Sequence, residues 1–101
     1  MSKILNCHSL AEVRAEIDRI DGELPALLAE RGSYVKQAAG FKKDASEVPA
    51  PRRVRQVLER VRQRALLLGA DPEVAEATWQ AMIAAFIRSE QVEHARLNQK
   101  S

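Results

Sequence analysis

Cysteine occurs once in these 101 residues, as Cys7, so no disulfide can form within the chain and a reducing compartment is expected. Aromatic side chains are almost as scarce: Tyr34, Phe41, Trp79 and Phe86 complete the set. That scarcity, beside abundant aliphatic residues, suits helices packed on helices better than a β-sandwich. No stretch approaches the ~18 apolar residues of a membrane span, and the first residues, MSKILNCHSL, lack the apolar run of a signal peptide. An excess of one charge is missing as well. The net charge is +2, too little to argue for nucleic acid from the global field. His8 and His94 stand far apart with no third ligand in pattern, and no G-x-x-x-x-G-K-[ST] loop is present. Neither an internal repeat nor a low-complexity tract occurs. The expectation is a soluble, cytoplasmic, single-domain protein with no metal, no cofactor, no membrane association and no nucleic-acid partner.

What is present is helical periodicity. Leu10, Val13, Ile17, Ile20, Leu24 and Leu27 step by threes and fours, as one face of a helix does. Ser9 is an N-cap candidate with Glu12 three residues on, a capping box, and the pattern runs to about residue 43. Pro25 interrupts it, and a proline inside a helix costs about 3 kcal/mol. The apolar phase continues across it, so a kink is expected; a stop would make Pro25 a first-turn residue of a new helix. Residues 44–50 read as a loop, since Pro49 and Pro51 disfavour helix before them and Pro51 suits the first turn of the next. A second helix over 51–68 carries Val54, Val57, Leu58, Val61, Ala65 and Leu68 and ends at Gly69. Asp71 and Pro72 open a third, to about residue 97, with Trp79, Ile83 and Phe86 on its apolar stripe. A straight helix of ~35 residues measures roughly 52 Å. A compact chain of this size has a radius of gyration of about 13 Å. The first helix therefore overhangs its own globule, and an intertwined homodimer of all-α chains is expected to cover it.

Charges interrupt the apolar stripes. The stepping of the first helix lands on Arg31, then on Val35, Ala38 and Lys42. Eleven residues at ~100° each bring Lys42 to within ~20° of Arg31, roughly 16 Å further along the axis. On the third helix the stop after Phe86 is Glu90. Buried charges need partners, and an anionic ligand would supply one for the cations. Bland accounts exist for each. Arg31 can lay its stem on apolar surface, Lys42 can sit at a helix C-terminus for its dipole, and Glu90 can pair with Lys42 as a structural ion pair. Arg14 lies about 25 Å from Arg31 and ~100° around the helix, out of reach within one chain. In an antiparallel dimer of the long helix it would enter the partner's site. The arginines of the second helix (Arg52, Arg53, Arg55, Arg60, Arg62, Arg64) point around much of its circumference and read as a solvated face without aromatic stacking partners. Arg53 is singled out because it directly follows the loop.

The run Val13-Arg14-Ala15-Glu16-Ile17-Asp18-Arg19-Ile20-Asp21, then Leu27-Leu28-Ala29-Glu30-Arg31, Val35-Lys36 and Lys42, resembles the first helix of the all-α chorismate mutase family. Val48-Pro49-Ala50-Pro51-Arg52-Arg53-Val54 is more specifically similar to its isochorismate-pyruvate lyase branch. The resemblance covers roughly residues 9 to 95. It implies an intertwined dimer with two sites, each completed by an arginine of the other chain. By position, Arg14 of the partner and Arg31 would clamp the two carboxylates of an enolpyruvyl ether. Lys42 would bond a carboxylate and the ether oxygen, Arg53 would close the loop over the site, and Glu90 would donate to the ether oxygen from the opposite side. Val35, Val54, Phe86 and Ile87 are expected to line the pocket.

Two departures from the family pattern bear on the substrate. Val54 replaces the acid that follows the loop arginine in mutases, and Ala50 replaces another acid three residues before it, which favours the lyase branch. Glu90 stands where that branch has Gln. A carboxylate facing an oxygen that gains negative charge opposes catalysis, so Glu90 must hold a proton to help. The expected activity is conversion of isochorismate to salicylate and pyruvate, with a weaker chorismate-to-prephenate rearrangement. A dedicated chorismate mutase is the nearest rival, a non-catalytic helical dimer the next, and a nucleic-acid-binding helical protein the most remote.

Overall fold

In a computed structural model of the chain, residues 4–42, 44 and 50–99 are described, the side chains of the last two excepted. All regular structure among them is helical: α1 is Leu10–Phe41, α2 is Pro51–Leu68 and α3 is Pro72–Gln99. Pro25 lies inside α1, so the helix continues through it. The expected last residue of this helix, Lys43, and most of the expected loop, residues 45–49, fall outside the described residues. The chain divides into two units, Met1–Ser33 and Tyr34–Ser101, with α1 contributing to both.

In the first unit, Ser9 caps α1: the Glu12 N–H donates to Ser9 Oγ at 3.1 Å. Glu12 reaches back, but its Oε2 accepts from the His8 N–H (2.6 Å) rather than from that of Ser9. The box is thus one residue wider than its usual form, and still satisfies donors that the first turn leaves open. Arg19 bridges Glu16 at 3.3 Å and Glu23 at 3.2 Å along the polar face. The neighbouring apolar face stays open. Leu10, Val13, Ile17, Ile20, Leu24 and Leu27 are all at least 40% exposed in the isolated chain. The segment Ile4–Cys7 flanks part of this stripe around a concavity of about 450 Å³.

The second unit holds the buried residues. Ala39, Ala65 and Ile83 are its fully buried apolar side chains among the described residues, one from each helix. A tight turn joins α2 to α3. Gly69 adopts φ 78°, its N–H donates to Leu66 O at 3.3 Å, and the Ala70 N–H donates to Ala65 O at 2.8 Å. This pair of bonds closes a helix through a left-handed residue, a conformation glycine takes without steric cost. Asp71 then caps α3, its Oδ1 accepting from the Glu73 N–H at 2.9 Å, with Pro72 in the first turn. Across the hairpin Arg62 meets Glu73 at 3.0 Å and Glu76 at 2.5 Å. Hydrogen bonding to Glu73 first, and then to Glu76, holds the guanidinium above its already high ordinary range. Trp79, half-buried, faces Val61, Ala65 and Leu68 around a small groove. At the other end of α2, Ala50 precedes Pro51 with φ 38°. A following proline disfavours the right-handed helical region, and alanine in the left-handed one is strained by roughly 1–2 kcal/mol.

Candidate active site

Lys42 follows the last residue of α1, and its own N–H still donates to Ala39 O at 3.4 Å. The side chain therefore starts from a fixed point at the helix end. On α3, Glu90 and His94 are spaced four residues apart, which puts both on one face of the helix one turn from each other. That face meets Lys42. Lys42 Nζ and Glu90 Oε2 form an ion pair, and the ring Nε2 of His94 lies 3.0 Å from the Lys42 carbonyl oxygen. Ala39, two residues before the helix end, is buried as well.

Burial governs the electrostatics here. The Glu90 side chain is 8% exposed and that of Lys42 is 22% exposed. An uncompensated carboxylate at this depth would cost several kcal/mol, and Lys42 supplies the compensating charge. The match is incomplete. Glu90 Oε2 makes no hydrogen bond among the described residues, so the attraction to Nζ is that of charge without an aligned bond.

The other residues singled out from the sequence are distributed as follows. Arg14, exposed, and Arg31, half-buried, belong to the first unit. Arg53 belongs to the second, exposed in the first turn of α2, three residues beyond the left-handed Ala50. Val35, Val54, Phe86 and Ile87 are half-buried in the second unit. Lys42 and Glu90 are brought into contact. His94 joins them without having been expected at the site. Its signal was available, because the stripe Ile83, Phe86, Glu90 extends by another four residues to His94, which is 3% exposed.

The sequence matches the family described as chorismate mutase type II over residues 13–91, and the chain belongs to that enzyme family. Within it, the chain is similar to the isochorismate pyruvate lyase of Pseudomonas aeruginosa, at 35% identity over 91 residues. That alignment takes in 90% of this chain and 89% of the relative.

Proposed function

We propose that this chain is a pericyclic enzyme acting on enolpyruvyl ethers of the chorismate type. In this reading it converts isochorismate to salicylate and pyruvate, with a weaker rearrangement of chorismate to prephenate. The observation that carries the reading is the buried Lys42–Glu90 contact, a cation held beside an acid. Family membership and the likeness to an isochorismate pyruvate lyase support it.

The chemistry asks for no nucleophile. A ring hydrogen passes to the enolpyruvyl methylene as the carbon–oxygen bond breaks, and negative charge grows on the ether oxygen. Lys42 Nζ, redirected from Glu90 to that oxygen, stabilises the charge more in the transition state than in the ground state. Glu90 faces the same oxygen and donates to it only if its carboxyl holds a proton. Arg31 and the Arg14 of a second copy hold the two carboxylates through bidentate forks, Arg53 closes over them, and Val35, Val54, Phe86 and Ile87 shape the wall. Fixing a flexible dianion in a folded conformer removes further entropy from the barrier.

The second copy is part of the proposal. The α1 stripe from Leu10 to Leu27 is exposed in the isolated chain, and only three apolar residues are fully buried among those described. Such a thin core calls for a partner surface, and a second α1 provides an equally apolar one. Mixing two inactive variants, Arg14→Ala and Lys42→Ala, tests the shared site. Hybrid dimers carry one intact site of two, so roughly a quarter of wild-type activity returns after subunit exchange. No recovery despite exchange contradicts a site shared between chains.

The reading as a whole is tested by incubating purified protein separately with isochorismate and chorismate and identifying the products. Salicylate and pyruvate as the faster outcome is expected. Prephenate as the main product would favour the second reading, a dedicated chorismate mutase, which the family match supports on its own. Turnover of neither substrate contradicts both.

A further inference from the structure

A buried histidine one turn beyond Glu90 has no part in the chemistry above. His94 is 3% exposed, and its Nε2 lies 3.0 Å from the carbonyl oxygen of Lys42, fifty-two residues earlier in the chain. A carbonyl carries no proton, so Nε2 must hold the hydrogen and donate it. α3 therefore takes Lys42 by its two ends: Glu90 meets the ammonium and His94 meets the backbone. The grip matters because of where Lys42 stands. It is the first residue after α1, and a helix end leaves its last carbonyls without intrahelical donors. The donor from His94 occupies one of them, at the residue whose side chain must point at the reacting oxygen.

We infer that His94 is a positioning residue for Lys42, fixing the backbone from which the ammonium is aimed. The inference rests on the functional reading above for its kinetic consequence, and on geometry alone for its structural one. Lys42 contributes only if its Nζ falls within hydrogen-bond reach of a charge that develops in the transition state. A lysine stem swinging from a loosened carbonyl misses that place while substrate binding, carried by the arginines, persists.

Four substitutions separate positioning from simple space filling. In His94→Gln the amide Nε2 replaces the ring Nε2 at similar reach from the backbone. In His94→Asn the donor is retained but sits one bond too short. His94→Leu and His94→Phe remove it. With isochorismate as substrate, the Asn, Leu and Phe variants are expected to lose roughly tenfold in kcat with KM little changed, and the Gln variant to stay near wild type. A second readout needs no substrate: limited trypsinolysis of the folded protein, scored by mass spectrometry for the cut after Lys42. That cut should speed up in the Asn, Leu and Phe variants and stay at the wild-type rate in Gln. If the Leu and Phe variants do not fold, the comparison of Gln with Asn decides. Equal kcat in all folded variants, or Gln as impaired as Asn, overturns the inference, as does an unchanged cleavage rate after Lys42. Should wild type turn over neither substrate, the functional reading fails, and the trypsin comparison still judges the contact.

Discussion

Two ion-pair clusters join elements of the second unit, and they differ in almost every respect. Arg62 reaches Glu73 and Glu76 across the α2–α3 hairpin, with its side chain 32% exposed and that of Glu73 76% exposed. Lys42 and Glu90 meet with the acid 8% exposed and one of its oxygens outside any hydrogen bond among the described residues. The first cluster is what a fold uses to clip two helices together: redundant, solvated, and cheap to assemble. The second takes charge out of water. Replacing a buried pair by apolar residues of similar volume is often neutral, or stabilising by about 1–4 kcal/mol. Clipping the hairpin accounts for the Arg62 cluster, and the proposed chemistry would give Lys42–Glu90 a use beyond the fold.

The comparison breaks most visibly at Lys42. Lys42→Ala should lower kcat for isochorismate by on the order of a hundred- to thousandfold, the scale of losing one donor to a developing oxyanion. A loss under about threefold, measured by salicylate fluorescence, would put Lys42 on the same footing as a structural cation. Glu90→Gln comes next. A carboxyl donates only while protonated, whereas an amide donates at every pH. The Gln variant is therefore expected to hold kcat at or above the wild-type value at neutral pH. A Gln variant with kcat far below wild type argues against a donating Glu90. The smallest effect belongs to Arg62→Ala, which leaves two solvated glutamates and should lower the thermal midpoint slightly with kcat unchanged.

Much of this architecture was legible in the order of apolar residues. The stepping from Leu10 to Leu27 identified the face of α1, and its unbroken phase across Pro25 matches a helix that runs through the proline. Gly69, Asp71 and Pro72 punctuated the hairpin because each fits a backbone need: a left-handed residue, a cap, and a position without an N–H to satisfy. The charges on the stripes pointed to Lys42 and Glu90, since a charged residue at an apolar register needs a partner. The contact of His94 with a main-chain carbonyl was hidden, because a backbone acceptor leaves no mark in the sequence. The wider capping box, ending on His8, was hidden too, because a backbone donor leaves no mark either. The left-handed Ala50 contradicts alanine's own preference, and only the chain around it can impose such a conformation.

The central claim is that Lys42 and Glu90 are kept together for chemistry and not for the fold. The direct measurement is isochorismate turnover by the double variant Lys42→Met with Glu90→Leu, taken on protein whose unfolding midpoint has been recorded. The account predicts a variant as stable as wild type or more so, with turnover reduced to the level of Lys42→Ala. A variant that keeps wild-type turnover, or one that unfolds far more easily than wild type, would contradict it.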